Sequence, residues 1–445
     1  MSGDWTSIRL GDACTKIGSG ATPKGGKEVY LEAGPFSLIR SQNIYSDGFT
    51  RSGLAYIDEK AAKDLSNVEV LPGDILLNIT GDSVARVCQV PEDVLPARVN
   101  QHVAIIRPDS NKLSARFIRY WLSSPKTQAH LLSLAAAGAT RNALTKGMIE
   151  NLSVAAPENI SEQIAIAHII GTLDDKIEIN RKMNETLESM ARALFKSWFI
   201  DFDPVRAKID GLWKKGQSLP GLPASLFAIF PDQLMQAKIG ELPLGWTQVK
   251  LTDLSDLNPE TWSKSTRPVK INYVDLSNTK WGRIESITSY DKKEAPSRAQ
   301  RILRLGDTII GTVRPGNGSY ALIYDDGLTG STGFAVLRPK KSDFLEVVYL
   351  SATSKENIER LAHLADGGAY PAVRPEVVGA TRFSKGPDQI LTEFSKITQP
   401  ILKKISQSEG ESRELASIRD VLMPKLITGE VRIKDIEMFL KERGL

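Results

Sequence analysis

The sequence predicts an α+β architecture, two tandem repeat domains joined by two long antiparallel coiled-coil helices. Three observations predict it. Short motifs return once, in the same order and at nearly one offset. Short β-rich runs punctuated by Gly, Pro and Asp fill each copy. Each copy then ends in a heptad-spaced stretch far longer than a core helix needs.

At 445 residues the chain exceeds one compact core and accommodates two or three domains. Hydrophobic residues at 41% and charged residues at 25% are globular values and exclude a disordered chain. The 57 basic residues nearly balance 53 acidic ones, for a net charge of +4. That balance permits nucleic-acid binding without demanding it, so a local basic surface would decide. Cys14 and Cys88 are too far apart for a metal-binding pair and too few for a disulfide framework, and are expected as buried apolar residues in a reducing compartment. Met1-Ser2-Gly3-Asp4-Trp5 carries no leader pattern, and no apolar run of about 18 residues occurs. A soluble, cytoplasmic protein is expected.

The repeat is weak in identity but consistent in order. Trp5-Thr6-Ser7-Ile8-Arg9-Leu10-Gly11-Asp12 returns as Trp246-Thr247-Gln248-Val249-Lys250-Leu251-Thr252-Asp253. Gly73-Asp74-Ile75-Leu76-Leu77 returns as Gly306-Asp307-Thr308-Ile309-Ile310, and Ala104-Ile105-Ile106-Arg107-Pro108 as Ala335-Val336-Leu337-Arg338-Pro339. The offset drifts from 241 to 233 to 231 residues, as short loop insertions would produce. Strands are expected at 75–79, 103–106, 308–313 and 335–337, on a mostly antiparallel or irregular sheet. Helical stretches are expected at 115–134 and 344–364.

Alternating steps of four and three from Ile166 reach Ile170, Leu173, Ile177, Asn180, Asn184, Leu187, Ala191, Leu194 and Trp198. The second copy steps through Phe394, Thr398, Ile401, Ile405, Ser408, Ser412, Leu415, Arg419, Leu422 and Leu426. Both seams are polar at the centre, and Asn180 and Asn184 are expected to fix register at some cost in stability. Such a helix would run about 57 Å at 1.5 Å per residue. Pro400 is expected to kink or split the second one. Paired antiparallel, the two would form a rod with a domain at either end. A Gly/Pro-rich stretch at 211–243 breaks any continuous helix and serves as the linker between copies. The expected organisation is a first domain at 1–157, a helix at 158–203, a linker at 204–243, a second domain at 244–387, and a second helix at 388–431 with a tail to 445.

These residues resemble one known family. Trp5, Leu10-Gly11-Asp12, Gly73-Asp74-Ile75-Leu76, Asn100-Gln101-His102-Val103-Ala104, Gly138-Ala139-Thr140-Arg141-Asn142, Pro157 and Glu162-Gln163 look like one repeat of the specificity (S) subunit of type I restriction–modification enzymes. Trp198-Phe199-Ile200-Asp201-Phe202-Asp203-Pro204 and Pro243-Leu244-Gly245-Trp246 continue the match. The second copy departs from the pattern at Gly368-Ala369-Tyr370-Pro371, at Pro387-Asp388-Gln389 and at Ser331-Thr332. The resemblance implies two target recognition domains, each reading half of a bipartite double-stranded DNA site, and helices that space them. It further implies two methyltransferase (modification) subunits and restriction/translocase subunits as partners. S-adenosylmethionine, ATP and Mg would belong to those partners, with no cofactor in this chain.

Catalytic signatures are absent. Asn258-Pro259-Glu260-Thr261 departs at two positions from the Asn/Asp-Pro-Pro-aromatic run that grips a target amine. The Gly20 to Lys27 segment has one residue too many for a phosphate loop and places Glu28 where a hydroxyl is needed, so Gly18-Ser19-Gly20 reads as a turn. No Glu-x-Lys occurs, and His102, His130, His168 and His363 lack metal-ligand spacing. A non-catalytic subunit is expected.

Arg, Lys, Asn and Gln in loops are the types that grip phosphates or read base edges. In the first copy the candidates are Lys24, Lys27, Arg40, Ser41, Gln42, Asn43, Arg86, Gln101, Thr140, Arg141 and Asn142. In the second they are Lys264, Arg267, Asn278, Lys280, Arg283, Arg298, Arg314, Asn317, Tyr320, Tyr370 and Arg374. Exposed charges are solvated by default, and about half of the set is expected to face DNA. A structural adaptor bridging protein partners without DNA is the alternative that the near-neutral charge leaves open.

Overall fold

The structure, a computed structural model, describes residues 5–45, 48–137, 142–237, 240–263, 265–368 and 370–433. The chain divides into two compact units, Met1–Ile179 with Glu411–Leu445, and Asn180–Gly410. The division falls inside both long helices, Ile160–Phe199 and Asp388–Ile427, so each unit holds one half of each.

In the first unit, one four-stranded sheet runs in the order Cys14–Ser19, Val103–Pro108, Ile75–Asn78, Val87–Gln89. A second runs Ala55–Ile57, Phe36–Ile39, Ala97–Val99, Glu69–Val70. Trp5–Arg9 pairs with Ser153–Pro157, and Ile44–Tyr45 forms a hairpin with Gly48–Phe49. The second unit repeats every one of these sheets in the same order. Ser255–Leu257, Phe334–Pro339, Thr308–Gly311 and Tyr320–Leu322 form one sheet; Thr288–Asp291, Lys270–Val274, Leu328–Ser331 and Ala299–Leu303 form the other. Thr247–Lys250 pairs with Arg382–Lys385, and Thr279–Lys280 with Arg283–Ile284. Even the exception repeats. Among the described strands pairing is antiparallel apart from Phe36–Ile39 with Ala97–Val99 and Lys270–Val274 with Leu328–Ser331, which are parallel.

The repeated motifs have structural causes. Gly73 and Gly306 sit at φ +85° and +87°, where a side chain would be strained. The aspartates after them, Asp74 and Asp307, are fully buried and paired with Arg107 and Arg338.

The helix segments complete each unit's core. Ile166, Ile170, Met423, Leu426 and Ile427 join the apolar cluster of Phe117, Leu131 and Ile149 in the first unit. In the second, Phe195, Trp198 and Phe199 pack with Phe383, Phe394 and Trp246. Every position of the two predicted seams is buried or half-buried. In the first unit, Arg419 donates to Asp174 at 2.8 Å and Lys176 faces Glu411 at 3.5 Å. In the second, the Asn180 amide donates to the Ser408 carbonyl and the Asn184 amide to the Ile405 carbonyl, each at 3.4 Å. Numbers rise on one helix as they fall on the other, so the segments are antiparallel in each unit. The seam asparagines bond across it, which is how a buried amide specifies register.

Three local expectations are corrected. Pro400 does not split its helix, because it stands on the exposed side, away from the seam. Its missing N–H deprives Lys396 of its usual partner where water can replace it. Gly18 and Ser19 are not a turn but the end of a strand, opposite Ile105 and Ala104. Gly20 follows because the Val99 carbonyl lies 2.0 Å from where a Cβ would stand. The helical stretches are each two helices, Ala115–Ser123 then Pro125–Ala136, and Leu345–Ala352 then Lys355–Leu364. Pro125 opens a new helix at its first turn, and the Ser354 hydroxyl caps another by accepting from Asn357 N–H. Cys88 is buried as expected, Cys14 only half so, and burial pushes both thiols up to about 12. Among the described residues no helix is long and apolar enough to cross a membrane.

Candidate nucleic-acid interface

In the second unit three loop segments are tied together by main-chain bonds. Trp281 N–H donates to the Gly318 carbonyl (2.7 Å) and Gly282 N–H to that of Tyr320 (2.9 Å), which fixes the Thr279–Lys280/Arg283–Ile284 hairpin against the loop that precedes Tyr320–Leu322. Arg314 N–H donates to the Pro371 carbonyl (2.7 Å) and Val373 N–H to that of Thr312 (2.9 Å), adding the 366–374 segment. Lys280, Arg283, Arg314, Asn317, Tyr370 and Arg374 are thereby brought into one neighbourhood, all exposed. The Arg314 guanidinium lies 4.6 Å over the Tyr370 ring, which holds an otherwise mobile cation. Asn278 is half-buried in the turn Leu276–Asn278 before the hairpin, and exposed Arg298 reaches Asp275 at 3.7 Å on its near side. Arg267 is half-buried and donates to the Ser297 carbonyl at 3.2 Å. Lys264 lies outside the described residues.

The first unit builds the matching neighbourhood. Asn78 donates to the Ser41 carbonyl at 2.8 Å, Gly81 N–H to that of Asn142 at 3.2 Å, and the Arg86 guanidinium covers the Tyr45 ring at 4.8 Å. Thr22 bonds Gln101, whose amide meets His102 at 3.0 Å, and His102 meets Thr80 at 2.7 Å. Lys24, Lys27, Gln42, Gln101 and Asn142 are exposed, whereas Arg86 and Ser41 are half-buried. Arg40 is half-buried too, bonded to the Gly53 carbonyl and stacked on Tyr30. Thr140 and Arg141 lie outside the described residues.

Two candidates are not surface groups. Asn43 is fully buried, accepting from Arg40 N–H and donating to the Thr50 and Ser52 carbonyls, so it clamps its own loop. Tyr320 is 5% exposed, with its ring in the core and its hydroxyl accepting from Arg192 at 3.4 Å. Sequence reasoning passed over Tyr45 and Trp281, exposed aromatics in corresponding hairpins. The signal was there, since each precedes a glycine at a turn: Tyr45…Gly48 and Trp281-Gly282.

The Asn258-Pro259-Glu260 run proves structural. Asn258 accepts from Val336 N–H at 3.0 Å, and bonds from Arg304 and Arg338 hold the Glu260 carboxyl down at about 2. Among the described residues no cluster of three His, Cys, Asp or Glu could hold a metal.

The profile described as the type I restriction modification DNA specificity domain matches residues 2–189. The specificity subunit of the Haemophilus influenzae type I restriction enzyme HindI is 27% identical over 426 residues, covering 83% of this chain and 90% of that one. The Methanocaldococcus jannaschii MjaIX specificity subunit is 24% identical, covering 97% and 95%. Residues 2–189 thus carry this specificity domain, and most of the chain is similar to these specificity subunits. The crystal structure of the S subunit from M. genitalium shares the fold of this chain, with a TM-score of 0.57 at 16% identity over 95% of this chain and 96% of that one. The duplicated sheets and their loop neighbourhoods thus lie within a fold shared with that S subunit.

Proposed function

We propose that each unit's loop neighbourhood reads one half of a bipartite duplex DNA target, and that the chain directs methylation and restriction by partner subunits without performing either reaction. The observation that carries this is the duplicated constellation. The corresponding hairpin, turn and sheet-edge loop form in both units, and carry Tyr45, Gln42 and Arg86 in the first and Trp281, Asn278, Lys280, Arg283 and Arg314 in the second. Exposed cations on main-chain-tied loops suit phosphates, and Asn, Gln and Arg beside them suit base edges. Two modification subunits and restriction/translocase subunits are the proposed partners. They would bring S-adenosylmethionine, ATP and Mg, and the setting would be the cytoplasm. The long helices, sharing one seam, are proposed to set the gap between half-sites.

Binding of the purified chain to random duplex at low salt tests this against a protein-only adaptor. DNA reading predicts binding that weakens as salt rises, with a log–log slope of roughly −0.9 per phosphate neutralised. Replacing Lys280 and Arg283 together by alanine should flatten that slope by about two. No duplex binding at any salt would favour the adaptor.

A further inference from the structure

Trp281 breaks the local rules of its own hairpin. Lys280 and Arg283 pair across a two-residue loop, Trp281-Gly282, whose φ angles are +48° and +89°. Two positive φ values make this a type I′ turn, in which the first position favours Asn, Asp or Gly. A tryptophan there is strained, and it remains 55% exposed. The surroundings nevertheless hold it still. Its main-chain N–H is clipped to the Gly318 carbonyl, and the ring lies over Gly318, where any Cβ would strike the indole at 2.6 Å. Its edge meets the Tyr320 ring at 6.0 Å and 85°. The exposed cations Lys280 and Arg283 flank it, with Arg314 and Asn317 on the adjoining loop and Glu285 two residues beyond Arg283. Strain kept at an exposed, rigid, apolar group between two cations marks a contact site.

We propose that Trp281 is a specificity-determining residue of the second unit, packing its indole on the C5-methyl of a thymine in the major groove. The inference rests on the DNA-reading function proposed above. A two-stranded ribbon fits the major groove, about 12 Å wide, and not an undistorted minor groove of about 6 Å. The thymine methyl is the apolar feature that the major groove offers. Lys280 and Arg283, on either side of the tip, then meet phosphates and carry no sequence information. In the first unit Tyr45 lies in the corresponding hairpin, but there the Arg86 guanidinium covers its ring.

The test uses the full chain assembled with its modification subunits, on the target mapped from its own methylation. Affinity is measured on duplexes in which each thymine of the second half-site is replaced in turn by uracil, which lacks the methyl. Wild type should lose about four-fold at one position, the factor for one buried methyl group. Trp281→Asn should bind the thymine duplex more weakly and lose nothing further on uracil. It creates the favoured Asn-Gly turn, so it should fold at least as well as wild type. Unchanged reading of the first half-site by this variant confirms an intact assembly. Equal uracil penalties in wild type and Trp281→Asn at every position, or a second half-site without thymine, would overturn the proposal. A wild-type assembly that prefers no duplex sequence would overturn the underlying reading instead, and the proposal with it.

Discussion

Arg107 grips Asp74 with two bonds, Nε to Oδ1 and Nη2 to Oδ2, both at 2.7 Å, although Asp74 is wholly inaccessible to water. Arg338 grips Asp307 in the same way at 2.8 Å. Each aspartate also accepts a main-chain N–H, from Leu71 and Arg304 respectively. A buried carboxylate held by three donors is stabilising only while all of them are in place. Asp74→Ala leaves the Leu71 amide without its acceptor and a half-buried guanidinium with only the Glu69 carbonyl. It should cost about 3 kcal/mol in the first unit, and Asp307→Ala the same in the second. Limited proteolysis would show cleavage confined to the unit that carries the change.

Glu346 offers a pH-dependent test. It is 1% exposed within the second unit, its carboxyl oxygens have no hydrogen-bond partner among the described residues, and burial pushes its carboxyl above the ordinary range. A raised carboxyl pKa means that the folded state binds a proton more readily than the unfolded one. Folding stability is therefore full below the ordinary pKa of about 4.5 and declines as pH rises towards the folded value. Glu346→Gln, neutral at every pH, should raise the melting temperature by a few degrees at pH 8 and leave it nearly unchanged at pH 4. Equal shifts at both pH values would contradict the assignment.

Much of this architecture was legible in the sequence because its signals are steric and periodic. Gly73-Asp74 and Gly306-Asp307 recur because a positive φ and a buried carboxylate admit few substitutes. The seams announced the long helices because a side chain every three or four residues must be buried. Polar loop residues were harder to read. Asn43, a buried clamp, and Gln42, an exposed neighbour, differ only in which way the turn points them. Tyr320 looks like a loop aromatic, yet it begins a buried strand, while the exposed aromatic, Trp281, lies 39 positions earlier in sequence and is brought beside it by the hairpin. Pro400 misled because its effect depends on which face of the helix it occupies.

The proposed ruler has a geometric consequence. One heptad inserted beside Asn180 and another beside Ser408 preserves the seam and lengthens each helix by about 10 Å. At ~3.4 Å per base pair that corresponds to at most about three base pairs, fewer if the helices lie oblique to the duplex or the duplex bends. Methylation mapping should show unchanged half-site sequences and a longer spacer. An active variant with the original spacer would contradict the ruler.

The central claim is that two units of one chain read two half-sites independently. Exchanging residues 1–157 for those of a similar specificity subunit with a different target, expressing the chimaera with its modification subunits, and mapping methylated sites across the genome tests it most directly. The account predicts a new bipartite motif in which one half has changed to that of the donor while the other half stays as in the parent. A motif altered in both halves, or in neither, would contradict it.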